Sequence, residues 1–276
     1  MREFQMGIIG GCLSHQRGMG YSQLYHRRLD KMLQPEGVHL RVSIARNFRR
    51  SYIERMEELL EPGHINGILL HLRIIFIQKI GLIVNYLNGG YRHYILHPFL
   101  FNRHALGWVG LRSQNFPGSY KLFRRKDIVP VTDTADDEFE RPRPFLHLGS
   151  LRVRDIDLIA GIMLGLDNWV IRDELNMLVQ FKEKCDSLDI PFFVLGPTPV
   201  NDSLIEDYLW RKFNRVLAAQ LQAMQISYCL IEQKNDEIGN HILKPDGIHL
   251  NEKGHEFIAG RLHHSMSSWI KSALST

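Results

Sequence analysis

Short apolar runs separated by segments of helical period constrain this chain most. Five such runs, at residues 6–9, 38–45, 65–72, 191–195 and 226–231, read as buried strands of a parallel sheet. Between them, residues 21–33 place Leu24, Tyr25, Leu29, Met32 and Leu33 on one helical stripe. Residues 51–60 do the same with Tyr52, Ile53, Met56, Leu59 and Leu60. Alternation of this kind predicts βαβ units, because a parallel strand is reached by a crossover that a helix usually supplies.

The second half continues the pattern. Ser203 and Glu206 form a capping box ahead of a helix carrying Leu209, Phe213, Val216, Leu217 and Leu221. Residues 153–184 predict a long helix or a helix pair, with Gly161 and Gly165 as packing or bending points, and a last helix is expected over 252–273. Residues 76–148 break the alternation: they are rich in His, Arg, aromatics, Gly and Pro, and turn acidic at 133–140. They are expected to be an insertion, or lid, at 77–148 within a single domain spanning 1–276.

Composition narrows the function. With 276 residues of which 44% are apolar, the chain can bury a large core, and a net charge of +4 gives no reason to expect a nucleic-acid partner. The most apolar long segment, 74–87, contains Gln78 and Lys79 and is too short for a membrane span. Three cysteines, Cys12, Cys185 and Cys229, have neither CxxC spacing nor a zinc pattern and read as reduced thiols. Met1-Arg2-Glu3-Phe4 leads straight into the first apolar run without a signal-peptide pattern, so a cytoplasmic location is expected. The 14 histidines include no HExxH or comparable set, so neither a metal site nor a cofactor is expected.

Two stretches carry chemistry. Gly10-Gly11-Cys12-Leu13-Ser14 follows the first strand, and a thiol or hydroxyl there is a candidate nucleophile. Ser14 is also placed to cap the helix that follows. After the last strand, Asp246 and His249 lie three apart, a spacing in which a carboxylate can hold one imidazole nitrogen and leave the other as a base. Asn251 and Gly254 then start the last helix, with Phe257, Ile258 and Leu262 on its buried face. The basic, aromatic stretch 91–126, with Arg92, His93, Trp108 and Arg112, reads as a solvated loop with aromatic anchors or as a surface for an anionic or carbohydrate ligand.

With a nucleophile motif after the first strand and an Asp/His pair after the last, the sequence resembles the SGNH/GDSL hydrolases. In that family the motif after strand one is Gly-Asp-Ser-Leu-Ser; here Gly11 replaces the Asp and Cys12 the Ser. The resemblance implies a three-layer α/β/α sandwich with a parallel sheet of about five strands in flavodoxin-like order. It also implies an ester hydrolase, either an acyl esterase or an acyl transferase on a small ester or acylated saccharide. Cys12 would attack, with Ser14 as the alternative, while His249 acts as base and Asp246 orients it.

The family's other two blocks are altered. Its glycine after strand two is replaced by Ala45-Arg46-Asn47-Phe48, where the backbone of Asn47 or Phe48 could still donate. Its Gly-x-Asn-Asp after strand three is missing, which leaves His71 or Arg73 to join Gly11 and Asn47 in holding an oxyanion. Gly165-Leu166-Asp167-Asn168 has similar letters but sits within helical periodicity. With two blocks altered, the alternative function is a catalytically eroded SGNH-like binding or assembly protein.

Overall fold

The computed structural model describes residues 1–10, 20–46, 52–61, 63–72, 147–148, 151–198, 204–231 and 250–275. They belong to two compact units, one holding residues 1–72 and 172–275 of this set and the other 147–148 and 151–171.

In the first unit, β1 (Arg2–Gly10), β2 (Val38–Arg46), β3 (Gly67–His71), β6 (Phe192–Leu195) and β7 (Ser227–Cys229) form one sheet in the order β2-β1-β3-β6-β7. Every pairing is parallel. This is the expected α/β class with the expected five strands and flavodoxin-like order. β3 and β6 are buried at every position, as central strands covered on both faces must be.

Strand lengths differ from expectation for local reasons. β1 begins at Arg2 rather than residue 6, because its full length pairs in register with β2 from Arg2↔Val38 to Gly10↔Arg46. An ion pair from Arg41 Nε to Glu3 Oε2 (3.0 Å) lies across that polar end. β7 covers only three of the six residues expected. Its partner β6 runs into Gly196-Pro197, and a proline has no N–H with which to extend a ladder.

Helices α1 (Tyr25–Leu33) and α6 (Glu252–Ala273) share a core with one side of the sheet, where Leu29, Leu33, Ile258, Leu262 and Met266 join Phe4, Met6, Ile8, Leu69 and Phe193. Gly67 lets this layer close, since a Cβ there would lie 2.7 Å from the Trp269 ring. Helix α2 (Tyr52–Leu60) packs with the part of α4 (Leu166–Ser187) that belongs to this unit. Cys185 Sγ meets Met56 Sδ at 3.7 Å, the Tyr52 and Phe181 rings pack edge to face, and Tyr52 Oη donates to Glu174 Oε2 at 3.0 Å. Helix α5 (Leu204–Ala223) buries Leu209, Phe213, Leu217 and Leu221, and Trp210 Nε1 donates to the Pro197 carbonyl at 3.0 Å.

In the second unit, β4 (His147–Leu148) pairs antiparallel with β5 (Leu151–Arg152), a hairpin that periodicity did not predict. α3 (Val153–Met163) follows and is separated from α4 by Gly165 at φ +71°. A backbone in that left-handed region favours glycine, which accounts for the helix pair. Asp167 and Asn168 lie in the first turn of α4, as their periodicity indicated. Ser203 of the capping box and residues 77–146 of the insertion lie outside the described residues. Among the described residues no helix is long and apolar enough to cross a membrane.

Candidate functional site at the carboxyl edge of the sheet

Sheet order decides where a site can form. The chain moves from β1 outward to β2 and then returns past β1 to β3, so β1 and β3 flank the point where connections leave in opposite directions. In open parallel sheets the crevice at that point, beyond the strands' carboxyl ends, is where ligands bind. The ends lie level: Gly10 pairs with Arg46, Ile9 with Leu70 and His71 with Leu195. The Leu72 N–H carries the ladder one step further, to the Leu195 carbonyl at 2.9 Å.

Two helix starts also reach this edge. α6 opens on Asn251, whose Oδ1 accepts the Gly254 N–H at 2.9 Å, an N-cap at the helix entry expected there. α1 opens on Leu24, which has no capping side chain. The first N–H groups of a helix lack partners within it. The one at Tyr25 donates across the structure to Nδ1 of His255, at 3.2 Å, inside the first turn of α6.

Around that bond the aromatic rings are closely set. The Tyr25 ring stacks on His255 with an interplanar angle of 11° and meets His26 and His71 edge to face. Tyr25 Oη lies 3.4 Å from His71 Nδ1, at the end of β3. All four side chains are buried. A second tie runs beside them: Arg28 donates to the Gln23 carbonyl and reaches Glu252 at 2.6 Å and Glu256 at 3.7 Å. α1, β3 and α6 are therefore fastened together at the sheet's carboxyl edge.

Of the residues that sequence reasoning assigned to the site, His71 is described, and it takes part in this cluster. Gly11, Cys12, Ser14, Asn47, Arg73, Asp246 and His249 lie outside the described residues. Tyr25 entered the sequence reading only as a core position, and His255 was given no role in it. The signal for His255 is its place one turn before the buried Ile258 and Ala259, a polar side chain on an apolar helix face. The other two cysteines are poor nucleophiles. Burial pushes the Cys185 thiol up to about 12 and also raises that of Cys229. Among the described residues, no group of three or more His, Cys, Asp or Glu side chains is placed to hold a metal ion.

No family model matches the chain, and no curated protein matches it in sequence. Solved structures do. A catalytic mutant of Axe2, an acetylxylan esterase from Geobacillus stearothermophilus, is similar at 13% identity over 95% of this chain and 94% of its own, with a TM-score of 0.51. Another Axe2 mutant, described as an acetyl-xylooligosaccharide esterase, is similar at 12% identity over 95% and 94%, with a TM-score of 0.50. A member of the lipolytic protein G-D-S-L family from Veillonella parvula is 12% identical over 95% and 97%, at a TM-score of 0.49. At such identities the likeness is one of architecture, and it agrees with the strand order and layering described above. The chain shares the fold of the Axe2 structures, with a parallel five-stranded sheet in the order β2-β1-β3-β6-β7.

Proposed function

We propose that the chain is an ester hydrolase in which Cys12, His249 and Asp246 act as nucleophile, base and orienting acid, with Ser14 as the alternative nucleophile. The observation that carries this reading is the level ending of β2, β1 and β3 at the switch point. Residues 11–14 and 47 follow two of those strands directly, Arg73 follows Leu72, and Asp246 and His249 stand within five residues of the Asn251 cap. The likeness to an acetylxylan esterase favours an acylated saccharide as substrate, with transfer of the acyl group to another hydroxyl as the variant reaction.

The steps balance as ordinary acyl transfer. His249 takes the proton of Cys12 and the sulfur bonds to the ester carbonyl carbon, whose oxygen becomes an oxyanion. Backbone N–H groups near Gly11, Cys12 and Asn47, with His71 or Arg73, hold that charge. The carbon–oxygen bond then breaks and the leaving alkoxide takes the proton back from His249. Water, deprotonated by the same imidazole, releases the acid and restores the thiol.

The test is turnover of p-nitrophenyl acetate and acetylated xylo-oligosaccharides by the purified protein, with labelling by iodoacetamide and fluorophosphonate mapped to residues. Cys12→Ala is expected to abolish activity and Cys12→Ser to retain part of it. Ser14→Ala is expected to leave turnover close to that of the parent. Full activity in Cys12→Ala with loss in Ser14→Ala would transfer the role to Ser14. A protein that turns over no acyl ester and has no activated residue would be the eroded binding protein instead.

A further inference from the structure

The hydrogen bond between Tyr25 and His255 fixes a proton as well as a distance. A backbone N–H can only donate, so the Nδ1 that accepts it carries no proton. His255 is therefore neutral, with its proton on Nε2. The bond joins residues 230 apart in sequence and is buried, so solvent does not compete for either partner.

Its location matters for chemistry. Residues 11–19 lead into α1 and residues 232–249 lead into α6, so the bond fastens together the two helix starts that follow the proposed nucleophile and the proposed Asp/His pair. Tyr25 extends the tie through its Oη to His71 at the end of β3. The salt bridge of Arg28 with Glu252 bears on the same two helices, but its groups are partly exposed. The buried imidazole makes the more rigid contact.

We infer that His255 is a positioning residue for the hydrolytic reaction: through Nδ1 it holds the start of α1 against the start of α6, and so sets the nucleophile's segment against that of its base. The inference rests on the hydrolase reading above.

Two substitutions separate acceptor placement from simple loss of the ring. His255→Asn keeps an acceptor oxygen near the position of Nδ1, whereas His255→Gln moves it toward that of Nε2. Both remove the stacked ring, so both carry whatever fold penalty that brings, and thermal melts place them on one scale. With p-nitrophenyl acetate, His255→Asn is expected to keep kcat within about threefold of the parent, and His255→Gln to lose about a hundredfold in kcat with KM little changed, the scale of a small misplacement of reacting groups. Equal kcat in the two variants, or a more active Gln variant, overturns the inference.

The tautomer is read without any turnover, from long-range 15N–1H correlation of the His255 ring in the parent protein. A bare Nδ1 and a protonated Nε2 support the bond; a protonated Nδ1 overturns it. A parent that shows the bare Nδ1 yet releases no nitrophenolate removes the hydrolase reading, and the positioning role with it, while leaving the bond in place.

Discussion

Two histidines on α6 are used in opposite ways. His255, in the first turn, is 3% exposed and accepts a backbone N–H from the start of α1. His263, about two turns on, has a side chain 34% exposed and sets Nε2 against the Glu36 carboxylate at 2.5 Å, just beyond the end of α1. A carboxylate can only accept, so this imidazole donates. Lys271 Nζ reaches the other oxygen of Glu36 at 2.7 Å. One helix pair is thus held at its amino end by a neutral, buried bond of fixed direction and at its carboxyl end by charges in contact with water. The first arrangement specifies geometry; the second adds attraction that salt screens.

The change expected to cost most strikes between these ends. Leu262 is fully buried in the core that α1 and α6 share with the sheet. Leu262→Ala should destabilise the protein by about 2–5 kcal/mol, the range for a leucine removed from a packed core. Urea unfolding measures it. A cost below 1 kcal/mol would mean that the polar ties, rather than the packing between them, hold the two helices in place.

How far sequence reached differs between fold and site. β3 and β6 were legible because burial on both faces demands uninterrupted apolar runs, and Gly165 because a left-handed residue between two helical periods leaves a glycine. The polar start of β1 was not, since Arg2 and Glu3 are held by the ladder to β2, and a backbone ladder has no side-chain signature. The two-residue strands His147–Leu148 and Leu151–Arg152 are too short to show a period. Near the site, β1 and β3 were read as strands from their apolar runs, and the register that pairs Ile9 with Leu70 brings their carboxyl ends level. His71 was named for what its imidazole could do to an oxyanion; that its Nδ1 lies beside the Tyr25 hydroxyl, 46 residues away, had no local pattern to mark it. His255 escaped notice because its partner is a main-chain N–H on a helix at the other end of the chain, and such partners leave no mark in a sequence pattern.

A finer probe of the amino end is Tyr25→Phe. It keeps the stacking on His255 and the edge-to-face contacts with His26 and His71, and removes only the hydroxyl. The distance from that hydroxyl to His71 Nδ1, 3.4 Å, is long for a hydrogen bond. The expected loss is about 0.5–1.5 kcal/mol in urea unfolding. A larger loss would make His71, rather than His255, the main anchor of the cluster.

The smallest effect belongs to the carboxyl end, and its pH dependence identifies it. Hydrogen bonds from Lys271 and then His263 hold the Glu36 carboxyl below its ordinary value, so the folded state releases this proton more readily than the unfolded chain. Stability from a lowered carboxyl is present above the unfolded value and is lost as pH falls through the folded one. Glu36→Gln keeps an oxygen that can accept from either neighbour and deletes only the charge. Its unfolding midpoint should therefore fall slightly below that of the parent at pH 7, and the two should converge as pH drops through and below the usual carboxylate range near 4.5. Raising salt to about 1 M, where the screening length shrinks to roughly 3 Å, should close much of the gap at pH 7 as well. The penalty of His255→Gln should withstand the same salt, because no charge takes part in the bond it disrupts. If salt were to erase both penalties equally, the amino end would be electrostatic too, and the neutral tautomer assigned to His255 would have to be given up.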